Sequence, residues 1–585
     1  MIVPMKKILL VTQKKDASQA VSALKGLGVL HPELERKTAT EYLQNFKKEL
    51  ERLRTVVQIL VGLYPQPQRV MDTDVSAKAQ EVLFLEEKIR HLRESLPKRK
   101  SLIEEWFGWG DFDPEDFKIL AAQGIYAQLT EIPAKEIDKI SDKVIIQIIT
   151  QAGSTARCLL ISRQKIDLPF KMPLAPPMSL KRMRQLKSEE ESDLAQAQQR
   201  LQDNACYLKH FQKVFEHRAA DLRFQETLHG MGEKEGLAYL KGYCPREVCG
   251  QIESAAQKEK WALLISDPDS DDKVPTLLRN PKWVEIIKPV FQFMNSIPGY
   301  RELDVSLFFL LFLGVFFGIL IGDAGYGILF VGLTAAAHKK MRPKIPSLPI
   351  FCLIYFMSFF AIIWGFLTGT FFGTKLFGAF VKPLMPWLTI NKNVQLVCFV
   401  LGAVHLSIAH IWRAINRINS VVALAEVGWL LIVWGCFFFT RMLILNEPLP
   451  NYINVILISG PALVILFNQP RKNIFARVGL GLGDFLLNVM SFFGDVVSYI
   501  RLFAVGLAGV SVADAFNQMA LAAGFNNIFM GLIAVCVLLI GHALNMVLAC
   551  FGVLVHGIRL NLLEFSAHLG MEWTGEEYHP LSTKS

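Results

Sequence analysis

SYIRLFAVGLAG at 498–509 and LVHGIRLNLLEF at 554–565 each place one arginine, Arg501 and Arg559, inside a long apolar run. A charged side chain at membrane depth costs about 2.5–3.5 kcal/mol on insertion scales, so such a residue usually has a partner or a task. Two of the same sign in the last two apolar segments read as a site that attracts negative charge. No carboxylate of this chain stands out in the sequence as a neutraliser of both, so the anion is expected to arrive on another subunit.

Working outward, the 585 residues divide by composition. Up to about Arg301 the chain is rich in Lys, Arg, Glu and Gln; after Asp304 it is mostly Leu, Phe, Ile, Val, Gly and Ala. The mean hydropathy of +0.31 is high for a soluble protein. The expected fold class is therefore an α+β cytosolic N-terminal half joined to an all-α C-terminal membrane domain, with domains at 1–300 and 301–585. The net charge of +9 does not indicate nucleic acid, because several of the basic residues fall in short loops between apolar segments. The nine cysteines are scattered without zinc spacing; Cys244 and Cys249 are the closest pair and read as structural thiols. The apolar run in MIVPMKKILLVTQKK is too short for a secretory signal, which leaves the polar half in the cytoplasm.

In that half, 6–12 reads as a strand, Asp16 as a helix cap, Gly28 as the helix stop and 29–31 as a resumed strand. Leu43, Phe46, Leu50, Leu53, Val57, Leu60 and Tyr64 then alternate by three and four, the seam of a coiled coil ended by Pro65 and Pro67. Val82, Leu85, Ile89, Leu92 and Leu96 repeat the pattern up to Pro97. IYAQLTEI, KVIIQIIT and ARCLLIS read as strands. Leu194, Leu201, Leu208, Phe215 and Leu222 fall at strict sevens, and a last α/β piece follows at 236–266. Coils at about 41–64, 77–96 and 180–230 between α/β lobes make a strut with a globular end. A plain set of solvated antiparallel helices is the alternative. This half carries no P-loop, nucleophile motif or His/Cys metal cluster, so no nucleotide site, cofactor or metal is expected in it.

The apolar half offers eight segments for crossings of roughly 20 residues: 304–321, 323–337, 349–369, 394–412, 420–440, 452–468, 480–520 and 527–568. With the first helix running outward, inward loops carry Lys339, Lys340, Arg342, Lys344, Arg413, Arg417, Arg471, Lys472 and Arg477. Outward loops carry only Lys375, Lys382, Lys392 and Arg441, which agrees with the positive-inside rule and puts both termini in the cytoplasm. The last two segments exceed a single crossing and lack Pro. They read as two long, tilted helices turned at Asn517, Gly524, Asn526 and Asn527. Small residues surround each arginine at helical spacing (Gly494, Ala504, Ala508; Gly541, Gly552), fit either for ordinary helix packing or for a sliding contact. Arg559 can alternatively snorkel to the headgroups.

Other polar groups at membrane depth are Asp323, His405, His410, Glu426, Asp484, Asp495, His542 and Glu564. Asp495, Ser498, Glu426, Asn545, His542, His556 and Glu564 are the candidates for lining a water-filled path across the membrane. Asp323, in FFGILIGDAGYG, reads as structural, part of a tight hairpin.

These motifs in their order resemble the membrane stator subunit of V/A-type rotary ATPases, called subunit a or, in bacteria, subunit I. KKILLVTQKK leading into LGVLHPE, then LKGYCP, PTLLRNPKWVEIIKPVFQFMNSIPGYRELDVSLFF, FFGILIGDAGYG, IIWGFLTGTFFG, GDVVSYIRLFAVGLA and HGIRLNLLEF cover nearly the whole chain. The resemblance implies that Arg501 is the essential arginine of the penultimate helix and Arg559 the supporting one of the last. It implies a non-catalytic subunit that couples proton or sodium flow to rotation. The implied partners are a rotor ring of proteolipid subunits with buried carboxylates, peripheral stalks, a cytosolic ATPase head and the lipid of a bacterial or archaeal cell membrane. Where eukaryotic members carry a glutamate about ten residues before the second arginine, this chain has Ala549. A secondary transporter gripping an anion and a membrane-anchored scaffold are the competing readings. The first calls for internal repeats that the sequence does not display; the second leaves the two arginines without a task.

Overall fold

The computed structural model describes residues 1–35, 41–63, 74–140, 144–164, 173, 175–341, 348–373, 382–468, 474–524 and 527–582. In chain order the N-terminal half runs β1 (Met5–Gln13), α1 (Ala17–Leu27), β2 (His31–Glu33), α2 (Glu41–Val61), α3 (Val75–Trp106), α4 (Pro114–Ala122), β3 (Tyr126–Pro133), β4 (Ile145–Ala152), β5 (Thr155–Ser162), α5 (Leu180–Asp203), α6 (Leu208–Gly230), β6 (Gly232–Lys234), β7 (Leu237–Pro245), α7 (Cys249–Glu259) and β8 (Ala262–Ser266). One sheet has the order β2-β7-β1-β8, with β6 paired to β7; the other is antiparallel, β3-β5-β4. The described chain divides into two compact units, one of 10–241, 254–262 and 581–585, the other of 1–9, 242–253 and 263–580.

In the first unit the helices stand where the sequence periodicity places them. Asp74 caps α3 by accepting from the Ser76 amide, and Ser179 caps α5 through the Arg182 amide. Gly28 ends α1 at φ 69°, a conformation that favours glycine. Leu53, Val56, Leu60, Ala79, Val82, Leu85, Ile89, Ala197, Leu201 and Phe211 close a single apolar seam between the helices.

Two expectations are corrected here. Pro97 does not end its helix: α3 continues to Trp106 with Pro97 inside it. Beyond the proline, Arg99 makes a two-pronged ion pair with Glu190 of α5 at 2.7 and 3.0 Å, and Trp106 is buried beside Trp109, Leu129 and Leu180. These contacts outweigh the lost backbone bond. The stretch at 180–230 is two helices, because a 3-10 turn at Asn204–Tyr207 interrupts it, with the Asn204 amide bonded to the Arg200 carbonyl. The stop assigned to Pro65 and Pro67 lies outside the described residues.

In the second unit the helices continue as α8 (Lys288–Met294), α9 (Ser306–Ile321), α10 (Ala324–Met341), α11 (Leu348–Thr368), α12 (Asn391–Asn416), α13 (Val422–Leu445), α14 (Ile453–Phe467), α15 (Ile474–Ser498), α16 (Ile500–Ala523), α17 (Ile528–Gly552) and α18 (Ser566–Leu569). Each of the eight apolar segments holds a helix, but not each is a full span. Among the described residues five helical runs are long and apolar enough to cross: Pro349–Thr368, Asn391–Asn416, Val422–Leu445, Val478–Ala523 and Ile528–Leu569. The number is six if α9 and α10, bent by 119° at their junction, count as one. α14 has only 15 residues, about 23 Å of helix against a core of about 30 Å.

Gly322, at φ 67°, turns the chain between α9 and α10. Asp323, fully buried, accepts from the Tyr326 amide at 3.1 Å and the Gly373 amide at 2.8 Å. It is a capping and loop-anchoring group, as its sequence context implies. The helices pack on a core that includes Phe309, Leu313, Phe316, Phe399, Val433, Tyr499 and Leu502. Large apolar side chains also face outward, among them Leu487, Met490, Phe529 and Leu539. Water is a poor neighbour for such a surface and lipid a good one. The second unit also contains Cys244 and Cys249, whose sulfurs lie 3.1 Å apart; burial pushes the Cys244 thiol far up, which keeps it protonated and unreactive.

Candidate functional site

The last two long runs, Val478–Ala523 and Ile528–Leu569, carry the two arginines. Arg501 lies two residues into α16. Its Nε donates to the Ser498 carbonyl at 3.0 Å, and its terminal nitrogen reaches Glu564 Oε1 at 2.5 Å. Arg559 Nε lies 3.6 Å from the same oxygen. The side-chain exposures differ in a telling way: Glu564 6%, Arg501 24%, Arg559 54%. Glu564 is sealed, Arg501 is partly open and Arg559 faces outward.

One carboxylate of this chain thus reaches both arginines, a pairing that the sequence analysis did not expect, although its single negative charge does not neutralise the two. Glu564 sits five residues after Arg559, about 140° away around a regular helix, so the sequence gives no sign that the two are neighbours. The chain here is not a regular helix. Val553–Gly557 and Leu560–Phe565 are π-helical, and the wider turn brings Glu564 round to the arginines. Glu564 Oε2 is buried with no hydrogen-bond partner among the described residues.

Along the same helices two polar networks flank the arginine. One contains Asp495, six residues before Arg501, about 9 Å of helix. Asp495 Oδ2 lies 3.1 Å from His568 Nε2, His568 Nδ1 lies 2.9 Å from His410 Nε2, and His410 Nδ1 lies 3.0 Å from Glu426 Oε2. Glu426 Oε1 is held by Arg413 at 3.0 Å and Arg417 at 3.2 Å. Arg413 also donates to the His568 carbonyl at 2.9 Å, tying α12 to α18. The other network lies beyond Arg501 in the opposite direction. Tyr326 OH is 2.6 Å from His542 Nδ1 and accepts from Asn545 at 3.0 Å, and His542 Nε2 is 3.0 Å from Asn517 Oδ1. Asn517 follows Arg501 by sixteen residues, about 24 Å.

Of the sequence-selected residues, Arg501, Arg559 and Glu564 meet; Asp495 and Glu426 belong to the first network; His542 and Asn545 belong to the second. Ser498 joins neither through its side chain, since its hydroxyl bonds the Asp495 carbonyl at 2.7 Å within its own helix. His556, between Asn545 and Arg559 in the sequence, has Nδ1 buried and without a hydrogen-bond partner among the described residues. His405 stacks between Phe312 and Phe565 and bonds Tyr499 OH at 2.8 Å. The Asp484 side chain lies outside the described residues.

The sequence reading missed His568, Asn517 and Tyr326 as site residues. It placed Arg413 and Arg417 only as loop charges. His568 is four residues from Glu564, a spacing that would have marked it. The small-residue stripes divide as well. A Cβ on Gly541 would sit 2.2 Å from Phe516 and one on Gly552 3.0 Å from Val505, so these positions serve close helix packing, whereas Gly494 faces open space.

No family model matches the chain. The chain is similar along nearly all of its length to V-type ATP synthase subunit I 1 of Treponema pallidum, at 32% identity over 99% of both chains. It is similar at 29% identity, again over 99% of both, to V-type ATP synthase subunit I of Borreliella burgdorferi. Among solved structures, the crystal structure of the cytoplasmic N-terminal domain of subunit I, homolog of subunit a, of V-ATPase covers 44% of this chain and 99% of its own, at 16% identity and a TM-score of 0.18.

Proposed function

The chain belongs to the V-type ATP synthase subunit I family, and on that premise we propose that it is the ion-conducting stator of a rotary complex. In this reading residues 1–300 form a cytosolic arm whose paired helices act as a coiled-coil strut toward peripheral stalks and an ATPase head. Residues 301–585 form a membrane domain. With α9, α10 and α14 counted as crossings, the chain passes eight times, the last two helices tilted, and both termini lie in the cytoplasm. The loop charges support that orientation. Of these, Arg342, Lys344, Lys375, Arg471 and Lys472 lie outside the described residues, as does the side chain of Arg477.

The observation that carries the reading is the partly open Arg501, balanced by one buried carboxylate and flanked by polar networks on both sides. A rotor subunit would bring a carboxylate that is neutral while it faces lipid, because a bare charge there is too costly. Beside Arg501 the ionised form is favoured, since a nearby cation lowers a carboxylate pKa by about 1–3 units. The ion leaves toward one network, and the next ion enters from the other. Arg501 keeps the two routes apart by repelling any cation that would pass directly between them. The work available is about 2.3 kcal/mol per charge per 100 mV. Proton or sodium flow would thereby drive the ring and, through it, ATP synthesis or hydrolysis on other subunits.

The test is Arg501→Ala in vesicles that contain the intact complex. ATP-driven ion uptake should vanish while the complex still assembles. Uptake at the normal rate would defeat the assignment.

A further inference from the structure

Just ahead of α9, within the second unit, the chain encloses a cavity that neither polar network uses. Its volume is about 200 Å³, many times the roughly 10–15 Å³ that one water needs. Thr276, 1% exposed, forms part of its wall. Both backbone groups of Thr276 are taken up by the C-terminal segment. Its amide donates to the Glu576 carbonyl at 2.7 Å, and its carbonyl accepts from the Tyr578 amide at 3.1 Å. Its hydroxyl is buried and has no partner among the described residues. Such a group is costly to leave unpaired and calls for an explanation. Glu285 and Lys288 stand on the same wall. They lie three residues apart where a 3-10 turn runs into α8, a spacing that lets side chains meet. Yet no ion pair joins them, and neither side chain has another partner among the described residues.

The surroundings place this cavity at the edge of the apolar helices. Ser306, the first residue of α9, lines it, and so do Ile287 and Phe291, which belong to the core of those helices. Phe291 meets Phe309 of α9 edge-on at 5.2 Å, and the turn Glu285–Ile287 packs against α11. On the same stretch Trp283 and Phe293 are 60% and 73% exposed. Aromatic side chains left outside at the start of an apolar helix belong at the level of lipid headgroups. We infer that the cavity is a phospholipid site and that its ligand is the phosphoethanolamine headgroup. Lys288 takes the phosphate, Glu285 takes the ammonium, and the Thr276 hydroxyl donates to a phosphate oxygen. The inference rests on α9 and α11 lying in a membrane and not on the stator reading.

The pairing of charges decides the headgroup. Lys288 alone would suit any phosphate. A phosphate without an amine, as in a glycerol headgroup, leaves Glu285 unanswered and beside a like charge. The quaternary nitrogen of choline has no hydrogen to give a carboxylate. A primary ammonium has three, and it satisfies Glu285 while the phosphate satisfies Lys288 and Thr276. Soluble phosphoethanolamine carries the same polar groups. The exposed Trp283 and Phe293 favour the lipid, because they offer apolar surface to its acyl chains beside the cavity.

The experiment uses the full chain purified in detergent, in its complex, with a phosphatidylethanolamine that carries a photoactivatable group on one acyl chain. Illumination should label peptides of the stretch 276–306. Unlabelled phosphatidylethanolamine should suppress that label at a concentration about tenfold below that needed with phosphatidylglycerol, phosphatidylcholine or soluble phosphoethanolamine. Lys288→Ala and Glu285→Gln, both at exposed positions, should each cut the labelling about tenfold, the worth of one charge-assisted hydrogen bond. Thr276→Val keeps the shape of the side chain without its hydroxyl and should weaken labelling as well. Labelling confined to other stretches, equal suppression by the three lipids, or labelling unchanged in both Lys288→Ala and Glu285→Gln each overturns the site. Suppression by soluble phosphoethanolamine at the same concentration as by the lipid overturns the lipid as its ligand. If Thr276→Val fails to fold, the two exposed variants and the competition series on the wild type decide.

Discussion

Arg501 and Arg559 share one oxygen of Glu564 but stand in different surroundings. Arg501 has its Nε fixed on the Ser498 carbonyl and one terminal nitrogen on Glu564. Arg559 is more than half exposed and 3.6 Å from its partner oxygen, a loose pairing of modest strength. Arg559→Ala should therefore reduce ATP-driven uptake only partly, where Arg501→Ala removes it. Equal losses in the two variants, measured in the same vesicles, would contradict that ranking. The two arginines were legible in the sequence because a charge inside an apolar run stands out. Their common partner was not, since the position of Glu564 depends on the π-helical turns, and no residue of HGIRLNLLEF announces an extra residue per turn. His568 escaped for a related reason: its importance lies in what α12 and α15 bring to it.

At the scale of elements, the apolar periodicity located nearly every helix, and the errors fall where tertiary contacts override a local rule. Pro97 removes a backbone hydrogen bond within α3, yet the helix runs on because Arg99 grips Glu190 and Trp106 is buried at its far end. Pro97→Ala should thus raise the stability of the arm, by up to about 3 kcal/mol on helix propensity. Thermal unfolding of the purified protein would show it as a higher midpoint for the transition of the N-terminal half. A lower midpoint would mean that the proline sets a bend on which the α3–α5 packing depends. The strand readings held for the antiparallel sheet β3-β5-β4, where alternation along β5 buries Ala156, Cys158 and Leu160 on one face. The short turn at Asn204–Tyr207 was hidden by a heptad pattern that continues through it.

For the whole molecule, membership of the subunit I family predicts company. Gentle detergent extraction of a tagged chain should recover a ring of small membrane subunits and an ATPase head. Recovery of a bound solute alone would favour a transporter, and recovery of neither a scaffold. The division into a polar and an apolar half was plain from composition, whereas the number of crossings was not, because α9, α10 and α14 fall near the length at which a helix just spans. The sharing of Glu564 has a consequence at this scale. Two guanidiniums against one carboxylate leave the pocket with a surplus of one unit of positive charge. A single visiting acid brings it to electroneutrality, and a second would find no unmatched charge to bind. On the proposed stator reading, occupancy is thereby limited to one rotor position at a time, and the machine would advance in single-charge steps.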